Sequence, residues 1–318
     1  MKPRILILVD VPGWALDRTA DNVIARLQHR YRFKKAYNHD AEAMLSSSTF
    51  DLCYMAYWRQ LSDAGITATL PRPAVTGVRS HFKWDGGTGK PPSQKIIDAL
   101  GRFNALHVPS RILYDIFRYR HRAVFYTPHG VDPAVFRPRK KGPAASPAGR
   151  LILGWAGSRT NHPGKRGIED YLLPAIKGLK GITIRYAARE DLWRTQAEMV
   201  PFYQELDAYV CASRTEGGPH PLLEAGACGI PVISTRVGLA PELLHTGTNG
   251  LLVERSVAAL RAAIIRLRDK RDLRIEMGKT ARRIICEKWT WDIQAKNYQP
   301  FFDCGLEQAD RDTCCRNC

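Results

Sequence analysis

The residues most able to carry chemistry lie in one short stretch, Ser213-Arg214-Thr215-Glu216-Gly217-Gly218-Pro219-His220-Pro221-Leu222-Leu223-Glu224. Two carboxylates, Glu216 and Glu224, stand with seven residues between them. The apolar run 208–212 predicts a buried strand before this stretch, and 221–228 predicts a helix that opens within it. A strand-to-helix loop of this kind falls at the carboxyl edge of a parallel sheet, where open α/β folds bind ligands. Gly217 and Gly218 let backbone approach a ligand, and Pro221 suits a first helical turn, where its missing N–H costs nothing. The unpaired N–H groups of that turn suit a diphosphate. A carboxylate that accepts from two neighbouring hydroxyls is a natural ligand for a sugar or ribose. Taken alone, the glutamates read first as acids that complement the helix dipole, and the surrounding sequence reverses that.

The elements that must hold this loop form two series. The chain has 318 residues, a length expected to give two domains of ordinary size. Strand-like runs at 5–9, 52–56, 74–78, 105–108 and 124–126 alternate with helical potential at 20–27, 93–102 and 110–118. Residues 137–147, rich in Pro, Ala and charge, read as an interdomain linker. A second series has strands at 151–155, 182–187, 208–212, 231–234 and 250–253. Its helices are expected at 170–178, 199–206, 221–228 and along 257–289. Alternation of this kind favours parallel sheets wrapped by helices.

With this organisation in place, the Glu216–Glu224 stretch resembles the E-x7-E signature of retaining GT-B glycosyltransferases, glycosyltransferase family 4. Thr127-Pro128-His129-Gly130-Val131-Asp132 with Phe136-Arg137-Pro138 resembles that family's Pro-Asn-Gly-Val-Asp…Phe-x-Pro segment, with His129 in the Asn position. Gly238 with Pro241-Glu242-Leu243, Asn249-Gly250-Leu251-Leu252-Val253 and Trp289-Thr290-Trp291 extend the likeness, which runs from about Thr127 to Phe302. The resemblance implies an α/β fold of the GT-B type: two Rossmann-like domains facing across a cleft, with a C-terminal helix crossing back to the first. The expected boundaries are 1–138, short and atypical, for acceptor binding, with a crossing helix at about 290–302; 150–289 for the nucleotide-sugar donor; and 303–318 as a Cys-rich tail.

The same resemblance implies roles for individual residues. Glu216 would hold the transferred sugar and Glu224 the nucleotide ribose, while Gly217, Gly218, Pro219, His220, Pro221 and Leu222 would line sugar and phosphate through their backbone. Arg159 and Lys165 would form the positive pair on the departing diphosphate, stabilising charge where it develops. His81 falls near the position of the family's active-site histidine, and Gly13 stands in place of its glycine-rich acceptor loop. No Asp-x-Asp metal motif is apparent in the two expected domains, 1–138 and 150–289, so a retaining, metal-independent hexosyl transfer from a UDP-sugar, with no further cofactor, is the expected reaction. In family members of this type the leaving phosphate is thought to take the acceptor proton. A non-catalytic nucleotide-sugar-binding protein is the alternative.

Charge bears on the acceptor. The formal net charge is +17, and residues 1–149 supply +12 of it, with 23 Lys/Arg against 11 Asp/Glu. A basic N-terminal half suits a polyanion. The favoured expectation is a hydroxymethylated pyrimidine in DNA, with Trp58 and Trp84 beside Arg59, Arg79 and Lys83 offered for phosphate contact and stacking. The second is a membrane glycolipid or surface polysaccharide, with Arg111, Arg118, Arg120 and Arg122 beside Tyr114, Phe117 and Tyr119 meeting an anionic membrane. No protein partner is predicted. The apolar run 5–9 ends at Asp10 without a cleavage site, and no run approaches the roughly 18 residues of a membrane span. A cytoplasmic protein, soluble or peripheral, is therefore expected. Cys53, Cys211, Cys228 and Cys286 are expected reduced, whereas Cys304, Cys314, Cys315 and Cys318 form a candidate zinc site.

Overall fold

A computed structural model describes residues 1–46, 49–67, 69–81, 91–140, 146–160 and 166–314, with backbone alone for 308–314. The chain divides into two compact units: residues 1–129 together with the chain from Trp291 onward, and Gly130–Thr290.

The first unit is a six-stranded parallel sheet of β1 (Arg4–Val9), β2 (Arg32–Tyr37), β3 (Leu52–Met55), β4 (Ala74–Gly77), β5 (Ala105–Val108) and β6 (Val124–Tyr126), in the order β2-β1-β3-β4-β5-β6. Both faces of β1 are covered. Ile5, Ile7 and Val9 enter one apolar cluster, and Leu6 and Leu8 enter another. The two-residue period of a strand makes this division, and burial on both faces explains why β1 reads as an unbroken apolar run. The sequence pattern missed β2, Arg-Phe-Lys-Lys-Ala-Tyr, because it is an edge strand on which Arg32 and Lys34 face solvent and Lys35 pairs with Asp17 and Asp21.

Helix Ala15–Leu27 buries Thr19, Ala20, Val23 and Leu27, a helical stripe against the sheet. The chain returns to the same face through helix Tyr298–Cys314. There Tyr298, Phe301 and Phe302 are fully buried, each contributing about 1.5–3 kcal/mol by leaving water. Gly305 permits this approach, since a Cβ there would lie 2.8 Å from Val75 Cγ1. The helix runs through the beginning of the expected Cys-rich tail. Cys304 lies on it, packed against the first unit's core, where burial raises its thiol pKa. Cys315 and Cys318 lie outside the described residues, as does the side chain of Cys314.

The second unit is a five-stranded parallel sheet of β7 (Leu151–Gly157), β8 (Ile182–Ala188), β9 (Ala208–Cys211), β10 (Val232–Thr235) and β11 (Gly250–Val253), in the order β11-β10-β9-β7-β8. Leu151, Leu153, Val210 and Ile233 pack with helix Val257–Asp269 on one face. Tyr209, Cys211 and Val232 pack with Tyr203 and Leu222 on the other. Helix Gln196–Gln204 begins with a Thr195–Glu198 capping box, in which two side chains satisfy otherwise unpaired N–H groups.

The units separate at His129–Gly130, before the segment expected to link them. Val131 and Phe136 belong to the second unit's core, and Val131 N donates to Trp289 O at 2.9 Å. Residues 141–145 lie outside the described residues. The following Ser146 is held by Asp207, whose Oδ1 accepts from Ser146 N at 2.8 Å, and by Arg274, which donates to Ser146 O. Arg274 and Asp207 form a buried ion pair at 3.4 Å.

Candidate active site

In the second sheet β7 and β9 are neighbours, although β8 lies between them in sequence. The strand order reverses at this pair, and the loops leaving its carboxyl ends diverge to opposite faces. Such a crevice is where doubly wound sheets bind ligands.

Glycines draw the surrounding loops together. Gly167, at the end of the β7 loop, has φ +70°, and a Cβ on it would lie 2.3 Å from Ala212 O at the start of the β9 loop. Gly238, after β10, has φ +51°, and a Cβ there would lie 2.4 Å from Gly217 O. Only glycine combines that left-handed backbone with so close an approach. Thr235 Oγ1 donates to Ser213 O at 2.7 Å, fixing the β9 loop from a third side.

These contacts bring Arg166 to Glu216. The guanidinium Nη1 donates to Glu216 Oε1, which also accepts from Ser213 Oγ at 2.8 Å. The Arg166 side chain is 25% exposed and that of Glu216 15%. Burial works against the Arg166 charge, but the charge and hydrogen bond of Glu216 outweigh it and raise the guanidinium pKa. Arg166 Nε is buried with no hydrogen-bond partner among the described residues. The site therefore holds a cation with donor capacity to spare beside a carboxylate that can accept from hydroxyls.

Helix His220–Ala227 opens beside this pair. Its N-cap is Pro219, no side chain caps it, and Pro221 lies in its first turn. Glu224 is buried within the helix, where its Oε2 accepts from Tyr203 OH at 2.7 Å. Burial, reinforced by the Glu224 charge, pushes the Tyr203 pKa well above its ordinary value. The two glutamates thus occupy different surroundings: Glu216 in the loop with Arg166, and Glu224 in the core with Tyr203.

The expected basic pair is placed differently. Arg159 turns to the loop after β8, where it pairs with Asp191 through two hydrogen bonds of 2.9 and 2.8 Å, and it lies over the Tyr186 ring. Lys165 lies outside the described residues. The cation that meets Glu216 is Arg166, which spacing alone did not single out. The available signal was Gly167 immediately after it, a residue able to bring the loop's backbone close to its neighbour.

In the first unit, Gly13 adopts φ +75° and donates its N–H to Asp17 Oδ2 at 2.8 Å. His81 is buried after β4, and burial lowers its pKa; residues 82–90 lie outside the described residues. At this sheet's carboxyl edge Arg79 donates to Ala56 O at 2.8 Å and to Tyr54 OH at 2.6 Å. Tyr54 OH meets His107 Nε2 at 2.9 Å, and His107 Nδ1 meets Thr127 Oγ1 at 2.6 Å. Gly77 makes room for this chain, since a Cβ there would lie 2.5 Å from His107 Nε2.

Two of the aromatic residues offered for acceptor contact, Trp58 on one surface and Phe117 on the other, pack against the first unit's core. Trp58 is partly buried against the first unit's core with Arg59 over its ring, and Lys83 and Trp84 lie outside the described residues. On the other surface Phe117 is fully buried, because it falls on the core stripe of helix Arg111–Phe117. Arg111 lies over Tyr126, Arg122 bonds Asn104 O and Phe103 O, and Arg118 stacks on Tyr119; Arg111, Arg118, Tyr119 and Arg120 are exposed.

Residues 192–284, which contain Glu216 and Glu224, match the family Glycosyl transferases group 1. The chain superimposes on sucrose-phosphate synthase from Thermosynechococcus elongatus with TM-score 0.72 at 13% identity, covering 95% of this chain and 98% of that one. It also superimposes on Anabaena HepE in complex with UDP and glucose with TM-score 0.69 at 15% identity, covering 95% and 99%. The fold is GT-B.

Among curated relatives, a GDP-mannose-dependent alpha-(1-6)-phosphatidylinositol monomannoside mannosyltransferase of Mycobacterium tuberculosis is 38% identical over 80 residues, 25% of this chain and 21% of that protein. D-inositol 3-phosphate glycosyltransferase of Arthrobacter sp. is 29% identical over 184 residues, 48% of this chain and 44% of that protein. The chain thus matches less than half the length of these relatives. Among the described residues, no helix is long and apolar enough to cross a membrane, and no three His, Cys, Asp or Glu side chains gather as a metal site.

Proposed function

We propose that this chain is a glycosyltransferase that takes a sugar from a nucleoside-diphosphate donor seated in the second unit, at the carboxyl ends of β7 and β9. The observation that carries this reading is the meeting of Arg166 and Glu216, from two loops, at the strand-order reversal beside the open start of helix His220–Ala227. The N–H groups of that turn and the Arg166 guanidinium take the diphosphate. Glu216 accepts from the hydroxyls of the transferred sugar, and Glu224, oriented by Tyr203, takes the ribose. As the bond from anomeric carbon to phosphate oxygen breaks, negative charge gathers on the diphosphate, where Arg166 stabilises it without a divalent ion. The acceptor oxygen bonds to the anomeric carbon on the face the phosphate leaves and passes its proton to the departing phosphate oxygen, so the anomeric configuration is retained. UDP is the nucleotide we favour, supported by the UDP bound in the HepE structure.

For the acceptor we favour a membrane glycolipid over DNA. The relatives named above act, by name, on a phosphatidylinositol mannoside and an inositol phosphate. Of the residues offered for DNA, Trp58 packs against the core, Arg59 pairs with Asp63, Arg79 is held by Ala56 O and Tyr54 OH, and Lys83 and Trp84 lie outside the described residues.

Glu216→Ala tests the reading. Sugar transfer should disappear while nucleoside diphosphate binding, followed by calorimetry, stays within a few-fold of the parent. Parallel loss of both, or full transfer in the variant, overturns it. Activity unchanged in EDTA is expected, and loss of activity restored by magnesium would refute the metal-independent mechanism.

A further inference from the structure

A separate cavity of about 550 Å³ opens in the first unit, within the range of small-molecule sites. Trp58, Ile96 and Phe103 give it apolar walls, and Arg59, Lys95 and Arg102 supply cations. The sequence builds this combination on one stripe. Lys95, Ala99 and Arg102 follow at i, i+4 and i+7, so all three lie along the cavity side of helix Gln94–Leu100 and the turn after it. Leu100 turns inward to the core, and Ile96 lies between the core and the cavity.

The charges are unevenly met. Arg59 pairs with Asp63 at 3.2 Å and lies over the Trp58 ring at 5.7 Å. Among the described residues, Lys95 and Arg102 have no carboxylate partner and none of those lining the cavity is acidic. An apolar hollow with two uncompensated cations suits a ligand that is apolar along its length and anionic at one end. A neutral sugar would leave the cations unmet, and a nucleotide would leave little apolar surface to pair with Ile96 and Phe103.

We propose that this cavity binds the acyl chain of an anionic phospholipid, with its phosphate between Lys95 and Arg102. The site stands on the first unit's geometry and does not depend on the transfer reaction. It gives the chain a grip on a lipid surface through one inserted chain and two charge contacts, without an apolar helix.

The test uses the full chain and alkyl phosphates of 10, 12 and 14 carbons, below their micelle-forming concentrations, titrated by calorimetry. Saturable binding that strengthens about fourfold per added methylene is expected from burial of the chain. Uncharged alkyl glucosides of equal length should bind at least tenfold more weakly. Ala99→Trp, which fills the cavity, should abolish binding. Lys95→Glu with Arg102→Glu should lower affinity at least tenfold; being at the rim, these changes keep the test valid should Ala99→Trp fail to fold. A brominated chain should quench fluorescence that Trp58→Phe removes. No binding, equal affinity for phosphate and glucoside, or binding unaffected by both the filling and the charge-reversing variants overturns the proposal.

Discussion

Replacing Arg166 by Gln separates the site's own geometry from the spacing that pointed to Lys165. The substitution removes a cation that is 25% exposed and leaves Glu216, 15% exposed, with Ser213 as its remaining partner. Stranding a fully buried charge costs about 3–5 kcal/mol. Here the remaining exposure, and relief from burying an unpartnered Nε, bring the expected loss to about 1–2 kcal/mol. At roughly 2–4 °C per kcal/mol for a unit of this size, thermal unfolding should fall by about 2–8 °C. Donor binding should suffer more. One charge-assisted hydrogen bond to the diphosphate contributes about 1.5–3 kcal/mol, so affinity for UDP should drop by roughly 10- to 150-fold in calorimetry. Lys165→Gln should leave thermal stability unchanged and weaken UDP several-fold at most. A double-mutant cycle of Arg166→Gln with Glu216→Gln should show coupling of about 0.5–3 kcal/mol. A stable Arg166→Gln variant with undiminished UDP affinity, or a larger effect from Lys165→Gln, would refute the assignment.

Further outcomes follow from other contacts. Gly167→Ala sets a methyl 2.3 Å from Ala212 O at φ +70° and should cost at least about 1–3 kcal/mol, lowering both melting temperature and UDP affinity as the loop moves away. Tyr54→Phe strips Arg79 and His107 of a shared partner and should destabilise the chain by about 1–3 kcal/mol in urea unfolding. His107 is buried, and burial, together with the Arg79 charge, holds its pKa well below 6.5. The unfolded chain therefore binds a proton at this residue that the native chain refuses. Stability should fall as pH drops below about 6.5, by up to about 1.4 kcal/mol per pH unit from this residue. His107→Gln should flatten that slope in pH-dependent urea unfolding; an unchanged slope would show that His107 is not responsible.

How much was legible in the sequence follows from the range of the forces involved. Strands buried on both faces announce themselves as apolar runs, which is why β1, β5 and β11 were readable within a residue or so, while β2 hid behind Arg32, Lys34 and Lys35 at the sheet edge. The loop carrying Glu216 was equally legible, because glycines and a proline at a strand-to-helix turn are local requirements. Which cation would meet that carboxylate was not local. Arg166 lies fifty positions earlier and reaches Glu216 because β7 and β9 pair across the sheet and Gly167 packs on Ala212. Arg159, equally plausible by position, is diverted by Asp191, a competitor that only the arrangement of three adjacent loops reveals. Local pattern thus determined the elements and the reactive loop. Tertiary structure chose the partners, since an ion pair forms where the closest opposite charge lies in space, and sequence spacing does not record that distance.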